Sequence, residues 1–313
     1  MEKIRVFAPS SVANVSCGYD IFGFAIDEPG DEVVVKIKNK PGVVITKITG
    51  DNGKLPKEAD KNTAGVAVQS FLKNIKTNKG VEIELYKKMP LCSGLGSSAT
   101  SAVAAVFGAN MLFGNILSKE ELLLFTMESE KIACGSAHAD NVAPSLFGGF
   151  VLIRSYNPLD IVKIPTPDLY CTIIHPDIIV KTKDARKILK PEVCLKDVVA
   201  QCGNVAALIA GFYKLDYELI SRSLNDCIIE PQRSKFIPGF MEVKKAALNN
   251  GALGSSISGS GPSIFALCKT LAIAKIVGNA MQKAFELQNI DSDIYISKIN
   301  NVGPREVIDN EEN

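Results

Sequence analysis

The sequence lacks the cysteine patterns of a zinc site and of a disulfide framework. None of its eight cysteines forms a C-x-x-C pair, and their spacings follow no regular ladder. They lie at Cys17, Cys92, Cys134, Cys171, Cys194, Cys202, Cys227 and Cys268. Cysteines without a pairing pattern are typical of a reducing compartment, so we expect a cytoplasmic protein.

An excess of charge of either sign and a long apolar run are also lacking. The 35 basic and 34 acidic side chains give a net charge of +1, which favours neither nucleic acid nor an anionic membrane as a partner. We find no apolar run long enough to predict a membrane span, and the first residues are typical of a strand rather than of a signal peptide. Any anion site must therefore be local.

The chain does have the length and the apolar content for two domains. It contains 313 residues, of which 46% are hydrophobic, and predicted helices and strands are mixed along it in an α+β pattern. Three prolines between residues 156 and 167 interrupt the pattern before a new strand begins. We place a boundary there, which predicts domains of residues 1–163 and 164–313.

A loop rich in glycine and serine separates a predicted strand from a predicted helix. Residues 81–86 alternate apolar and polar side chains as a half-buried strand does, and residues 99–113 are rich in small and apolar side chains. Gly94 and Gly96 would let the backbone approach a ligand closely, and a helix starting at Ser97 or Ser98 would direct free N–H groups at an anion. We expect that anion to be a nucleotide phosphate.

Two well-known phosphate motifs fit this loop less well. A P-loop requires a lysine directly after its last glycine, and none follows Gly96. Residues 94–99 formally fit the dinucleotide fingerprint G-x-G-x-x-A, but the acid expected some twenty residues later is replaced by the capping box of Ser118 and Glu121. A glycine turn that only packs a strand on a helix remains an alternative for the loop taken alone.

Two more segments rich in glycine and serine, residues 8–20 and 254–262, accompany the loop of residues 90–100. Their order and spacing resemble the GHMP kinases. Residues 136–149 and Glu230–Arg233 are similar to the branch of that family that phosphorylates L-homoserine. The first segment departs from the family pattern at Ser16 and Tyr19, where glycine or proline and phenylalanine are common, whereas Asn14, Gly18 and Asp20 match it.

The resemblance implies a fold and an activity. The fold would be the two-domain α+β fold of GHMP kinases, in which an α/β domain with a left-handed βαβ crossover precedes a ferredoxin-like domain. The activity would be ATP-dependent phosphorylation of the hydroxyl of L-homoserine in threonine biosynthesis, with Mg²⁺, and the family allows a homodimer. Two alternatives stay open: a GHMP kinase acting on mevalonate, shikimate or a sugar, and a ligand sensor without turnover, which would carry damaged metal ligands.

The resemblance also implies the nucleotide and metal sites. Nucleotide contacts would come from Asn62, Pro90, Leu91, Cys92, Ser93, Gly94, Leu95, Gly96, Ser97, Ser98, Ala99 and Thr100. The Ser98 hydroxyl and the Glu130 carboxylate would hold Mg²⁺, which usually takes one or two protein ligands beside phosphates and water. From the residues alone, Ser98 could equally be a helix cap, and Glu130 a solvated helix position like Glu128.

The same resemblance assigns the substrate site. The implied contacts are Asn14, Asp20, His138, Thr182, Arg186, Arg233 and Gly259. Arg186 and Arg233 would grip the substrate carboxylate, because guanidinium groups match carboxylates bidentately and lysine cannot. A carboxylate such as Asp20 suits an ammonium group.

The expected chemistry places the remaining polar groups beside the reacting hydroxyl. Because related mevalonate-type kinases carry an aspartate near Asn141, an asparagine here favours orienting the hydroxyl over deprotonating it. Asp140 is a candidate helper. Of the chain's two histidines, His138 is the substrate contact and His175 is expected to be structural.

Overall fold

The computed structural model describes residues 2–135 and 137–308, so Ser136 and the acidic residues 309–313 lie outside the described residues. The strands are β1 (Lys3–Ala13), β2 (Phe22–Lys38), β3 (Gly42–Thr49), β4 (Gly80–Tyr86), β5 (Phe150–Tyr156), β6 (Leu159–Ile164), β7 (Tyr170–Pro176), β8 (Gly254–Ile257), β9 (Ile264–Cys268), β10 (Ser292–Lys298) and β11 (Arg305–Glu306). The helices are α1 (Thr63–Asn74), α2 (Ser97–Leu112), α3 (Lys119–Cys134), α4 (Val142–Phe147), α5 (Thr182–Lys187), α6 (Leu195–Lys214), α7 (Tyr217–Ser223), α8 (Glu230–Arg233), α9 (Phe240–Asn249) and α10 (Leu271–Glu286).

The first sheet carries the glycine loop at the end of one of its strands. Its order is β11-β1-β2-β4-β3, with β5 beside β2 and β6 beside β5. The parallel pair β3 and β4 is connected through α1, which gives the expected βαβ unit, while its handedness stays a prediction. Val35, Phe71, Val103 and Leu122 are buried where the helices pack on this sheet. This packing fixes the loop between β4 and α2 at the carboxyl end of β4.

The second sheet confirms the ferredoxin-like expectation. Its order is β10-β7-β9-β8, and each neighbouring pair is antiparallel. Numbered along the chain within this sheet, the order is 4-1-3-2, and helices follow its first and third strands as in a βαββαβ unit. The third glycine segment therefore begins in β8 and turns into β9.

A cluster of phenylalanines connects the two sheets. Phe24 of the first sheet stacks on Phe150, with ring centroids 5.0 Å apart, and meets Phe265 of the second sheet edge-on at 6.0 Å. Phe212 of α6 packs on Phe150 at 4.7 Å. Because aromatic pairs at these separations stabilise beyond their burial, the cluster holds the two sheets at a fixed distance.

Most predicted elements are confirmed, and the capping box is the clearest case. Ser118 accepts from the backbone N–H of Glu121, and the Glu121 side chain accepts from the backbone N–H of Ser118, so α3 begins at the following residue. Helix α2 begins at Ser97, one of the two predicted start positions. The local signals of the sequence thus fix the two helices that carry the proposed metal ligands.

The interruption expected from the three prolines between residues 156 and 167 is confirmed only in part. Pro158 does not end the first sheet, because it lies in the turn that connects β5 to β6, where a missing N–H costs no ladder hydrogen bond. Pro165 and Pro167 lie between the end of β6 and the start of β7 in the second sheet. Asn141 lies directly before α4. The domain boundary at residue 163 stays a prediction, and β11 returns to pair with β1.

Helix α6 contradicts the expectation that no segment could span a bilayer. Its 20 residues are, by length and composition, long and apolar enough to cross a membrane. One such helix is weak support for a span, because helices packed on a soluble core pass the same test. Leu208 and Phe212 of α6 are buried in the core between the sheets.

Candidate active site

The three glycine-rich segments, distant in sequence, meet at one point. The Asn14 side-chain amide donates to the Gly259 carbonyl at 2.6 Å, and the Gly259 N–H donates to the Ala13 carbonyl at 3.1 Å. The Ser258 hydroxyl donates to the Gly94 carbonyl at 2.8 Å. The first and second segments therefore both contact the third, and together they line one cavity.

The loop glycines are required by their backbone geometry and by protein neighbours. Gly94 and Gly96 have φ angles of +80° and +69°, the left-handed region that favours glycine. A Cβ at Gly94 would lie 3.0 Å from the Gly261 carbonyl oxygen, and one at Gly96 would lie 2.8 Å from the Asn141 Oδ1. The close approach attributed to a ligand is thus made, in part, by other segments of the chain.

A buried lysine lies beneath the start of α2. The Lys87 Nζ donates to the Ser97 carbonyl and to the Ser101 hydroxyl, both at 2.7 Å, and forms an ion pair with Asp31. These bonds fix the first turn of α2, whose free N–H groups are the expected anion donors. Lys87 was not predicted from the sequence, although a lysine directly between an amphipathic strand and a glycine loop could have indicated it.

One cavity of about 830 Å³ contains most of the predicted site residues. Its lining includes residues 50–52 and 54–56, and also Arg186 and Arg233. Asn62 also lines the cavity. Its Oδ1 accepts from the Ala64 N–H at 3.1 Å, and its amide donates to the Pro56 carbonyl at 2.9 Å. The volume lies within the range of cavities that bind small molecules.

Three of the predicted nucleotide contacts do not line this cavity. Leu95, Ala99 and Thr100 are fully buried, and the Thr100 hydroxyl donates back to the Gly96 carbonyl at 3.0 Å. They support the loop from beneath, so the structure gives no support for direct contact with a nucleotide. The predicted contacts that do line it are Asn62, Pro90, Leu91, Cys92, Ser93, Gly94, Gly96, Ser97 and Ser98.

The two proposed metal ligands lie next to each other. The Ser98 hydroxyl donates to Glu130 Oε2 at 3.1 Å, and Glu130 is only 5% exposed. Ser98 is not the cap of α2, because Gly96 occupies that position. Glu130 is not a solvated helix position like Glu128, which is exposed and pairs with Lys131. Among the described residues no cluster of three or more His, Cys, Asp or Glu could hold a metal.

Opposite charges are paired at the other end of the cavity. The Asp20 carboxylate accepts from both terminal nitrogens of Arg186, at 3.1 and 3.2 Å. His138 Nδ1 lies 3.8 Å from Asp20, and its buried Nε2 has no hydrogen-bond partner within the described residues. Burial lowers the pKa of His138 below its usual 6.5. A neutral imidazole therefore lies beside the charged pair of Asp20 and Arg186.

Arg233 is a buried cation held by neutral oxygens. Its side chain donates to the Ala185 carbonyl at 3.1 Å, the Gly259 carbonyl at 3.0 Å and the Tyr19 hydroxyl at 3.4 Å. Arg233 is only 4% exposed, and its three hydrogen-bond partners within the described residues are all uncharged. Since a buried charge is costly without an opposite charge, this arrangement suits an anionic ligand.

The polar groups expected at the reacting hydroxyl lie between these two ends. The Ser11 hydroxyl donates to Asn141 Oδ1 at 2.9 Å. Burial, and then the nearby Asp20 carboxylate, raise the pKa of Asp140 to about 7. Tyr156, which was not predicted, donates from its hydroxyl to the Asp20 carbonyl at 2.9 Å. This contact helps to fix the segment that carries the Asp20 side chain.

Two further predicted residues have hydroxyl partners. The Thr182 and Ser260 hydroxyls lie 3.2 Å apart and both residues line the cavity. His175 Nδ1 lies 3.0 Å from the Ser263 hydroxyl, as expected for a structural histidine, but His175 also lines the cavity. Its bonded state agrees with the structural interpretation, and its position on the cavity wall was not anticipated.

Replacing Asp140 by asparagine is expected to change how stability depends on pH. Because the folded-state pKa is raised to about 7, the native protein binds more protons than the unfolded chain between about pH 4 and 7. The favourable contribution is thus complete at low pH and is lost as the pH rises through 7. The free energy of unfolding of the wild type, relative to Asp140→Asn, should fall between pH 5 and 8.

Denaturant titrations at several pH values measure this difference. Glu128→Gln is the matched control, because it removes an exposed carboxylate outside the cavity. A difference between wild type and Asp140→Asn that does not change with pH would show that Asp140 ionises normally in the folded protein.

Comparison with protein families places this geometry in a known group. The N-terminal domain of GHMP kinases matches residues 62–149, and the C-terminal domain of GHMP kinases matches residues 208–287. The homoserine kinase of Chloroherpeton thalassium is 52% identical to the chain, over 97% of this chain and 99% of that protein. The homoserine kinase of Chlorobaculum tepidum is 48% identical, over 97% of this chain and 98% of that protein.

Solved structures agree with these matches. The crystal structure of a homoserine kinase from Cytophaga hutchinsonii has a TM-score of 0.96 and 57% sequence identity, and covers 98% of both chains. A mevalonate kinase of L. major in complex with R-mevalonate has a TM-score of 0.71 over 94% of both chains, but at 17% identity it shows the shared fold alone. The chain therefore belongs to the GHMP kinase family.

Proposed function

We propose that the protein phosphorylates the side-chain hydroxyl of L-homoserine with ATP and Mg²⁺, forming O-phospho-L-homoserine in the cytoplasmic synthesis of threonine. One observation carries the proposal: a single cavity is lined both by the N-terminal turn of a helix and by the Asp20–Arg186 pair with buried Arg233. The names and the identity of the full-length relatives support it. Neither nucleic acid nor a membrane is a partner in this proposal, and a homodimer stays a prediction.

The nucleotide end of the cavity would bind the phosphates of ATP through backbone groups. Free N–H groups of the first turn of α2 and its positive dipole end favour an anion, and Lys87 keeps this turn in place. Ser98 and Glu130 fit Mg²⁺ as hard oxygen ligands already in contact. Bound there, the ion would neutralise charge on the transferred phosphate.

The substrate end is complementary to an amino acid. A zwitterion carries an ammonium and a carboxylate close together, and Asp20 and Arg186 present the two opposite charges side by side. Asp20 would bind the ammonium group, while Arg186 and Arg233 would bind the carboxylate. His138, Asn14, Thr182 and Gly259 complete this end, and they line the same cavity. An uncharged sugar would leave the buried Arg233 without an opposite charge beside it, which is costly in a buried site.

The reacting hydroxyl would be oriented rather than strongly deprotonated. Because Ser11 occupies the Oδ1 of Asn141, the Nδ2 of that amide remains to donate to the hydroxyl oxygen. Phosphoryl transfer depends mostly on positioning and charge stabilisation, so a strong base is not required. Asp140, with a pKa of about 7, can accept the released proton in its ionised form.

The two alternatives are less well supported. A kinase for mevalonate or shikimate would also bind an anionic substrate, but it would have no ammonium group for the Asp20 carboxylate to pair with. A ligand sensor without turnover is disfavoured, because the Ser98 hydroxyl and the Glu130 carboxylate are both present and in contact. Both proposed metal ligands are thus present.

A substrate panel tests the proposal. Purified protein with Mg·ATP should release ADP much faster with L-homoserine than with mevalonate, shikimate or galactose, because only homoserine carries both the ammonium and the carboxylate. A coupled assay for ADP measures each rate, with protein-free reactions as the control. Equal or greater turnover of any of the other three alcohols would overturn the assignment.

A further inference from the structure

Tyr19 is one of the two departures of the first glycine-rich segment from its family pattern, and it is the residue directly before Asp20. An aromatic ring is usual at this position, whereas its hydroxyl is not. The residues that line the cavity include Arg186 and Arg233 but not Tyr19. Any effect of Tyr19 on the substrate must therefore pass through the side chains it contacts.

Both arginines of the substrate end lie against the Tyr19 ring. The guanidinium carbon of Arg233 is 4.8 Å from the ring centroid, and that of Arg186 is 5.8 Å from it. Both distances are within the range of cation–π attraction. The ring therefore attracts both guanidinium groups, which carry like charges and repel each other. It is a contact that the two arginines share.

The Tyr19 hydroxyl adds a directional contact to one of these arginines. It accepts a hydrogen bond from the Nη2 of Arg233 at 3.4 Å. Burial raises the pKa of Tyr19 above its usual value, so the hydroxyl stays neutral. With Nε bonded to Ala185 and Nη1 bonded to Gly259, one N–H on each terminal nitrogen of Arg233 remains for a ligand.

We propose that Tyr19 is a positioning residue for the substrate carboxylate, and this rests on the proposed function. Contact with the ring fixes the plane of the Arg233 guanidinium, and the hydroxyl fixes its rotation within that plane. The two remaining N–H groups then face the ligand as a pair, which is the geometry a carboxylate binds most strongly. A phenylalanine at this position would keep the plane and lose the rotation.

Two variants separate these contributions. Tyr19→Phe should raise the KM for L-homoserine about 3- to 10-fold, the usual effect of one hydrogen bond. Tyr19→Leu should raise the KM for L-homoserine by about a further 3-fold, because the cation–π contact is lost as well. In both variants the KM for Mg·ATP and the kcat at saturating homoserine should stay within about 2-fold of wild type. Tyr213→Phe is the matched control, because Tyr213 is 61% exposed on α6.

A substrate without the carboxylate decides between positioning and general support of the fold. Calorimetry, with a non-hydrolysable ATP analogue present, would compare L-homoserine with 3-aminopropan-1-ol, which keeps the ammonium and the hydroxyl. Tyr19→Phe should weaken homoserine binding and leave the amino alcohol unchanged. An equal loss for both ligands, or no loss for homoserine, would overturn the role of Tyr19.

The same measurements distinguish this inference from the proposed function. If the wild type binds homoserine without turning it over, the proposed function fails, while the binding comparison still decides the role of Tyr19. If the wild type turns homoserine over and Tyr19→Phe weakens both ligands equally, only the inference fails. Absence of homoserine binding by the wild type would overturn both.

Discussion

Glu130→Ala is expected to lower kcat on the order of 100-fold at saturating Mg·ATP, because charge stabilisation of a transferred group is typically worth this much or more. The carboxylate is buried and bonded to the Ser98 hydroxyl, so its loss leaves a single protein oxygen for Mg²⁺. Ser98→Ala should also lower kcat. The KM for L-homoserine should change little, since both residues lie at the nucleotide end of the cavity.

Glu128→Ala provides the matched control on the same helix. Glu128 is an exposed carboxylate of α3 that pairs with the exposed Lys131, and its loss should leave kcat unchanged. Initial rates measured over a range of Mg²⁺ concentrations separate weaker metal binding from slower transfer. A kcat near wild type for Glu130→Ala at saturating Mg²⁺ would show that Glu130 is not a metal ligand.

How much of this site the sequence predicts depends on the distance between the residues in the chain. The capping box of Ser118 and Glu121 fixes the start of α3, and the glycine loop fixes the start of α2. Both signals are local, because they depend on residues within one helical turn. That Ser98 and Glu130 meet depends on the packing of α2 against α3, and only the family resemblance gave that pairing.

The features that the sequence did not predict depend on tertiary packing. The Asp20 and Arg186 side chains pair across 166 positions of the chain, and no periodicity encodes such a contact. The ion pair of Lys87 and Asp31 connects the residue after β4 to the middle of β2 beneath α2, and neither residue alone indicates this contact. Residue type alone therefore does not predict contacts between residues that are distant in the chain.

Leu95, Ala99 and Thr100 were assigned to the nucleotide because the sequence does not show which residues of the segment face the ligand. In the fold Leu95 lies in the loop, Ala99 and Thr100 lie at the start of α2, and all three are fully buried. Leu95 joins the cluster between the sheets, and Ala99 joins the core of the first sheet. A phosphate loop is therefore identified as a segment before its individual contacts are known.

Replacing Arg186 by alanine is expected to weaken L-homoserine binding by about 2 kcal/mol, the low end of the cost of removing one partner of a buried charge pair, because Arg186 and Asp20 are only partly buried. The change leaves the Asp20 carboxylate without its bidentate partner and the substrate carboxylate with one guanidinium fewer. Arg233→Lys should also weaken homoserine, although the charge is kept. An ammonium cannot reproduce three fixed hydrogen bonds and a planar pair of donors.

Calorimetric titrations of ATP and of L-homoserine into both variants test this division of the cavity. ATP affinity should stay at the wild-type value, because the hydrogen bonds of Arg186 and Arg233 join them to segments other than the loop of residues 90–98. Unchanged ATP binding would also show that the variants are folded. Arg154→Lys is the matched control, since Arg154 is exposed and pairs with Asp160. Weaker ATP binding with unchanged homoserine binding would move both arginines out of the substrate site. The charge that then selects the alcohol would have to come from elsewhere in the cavity, and the assignment to homoserine would lose its physical basis.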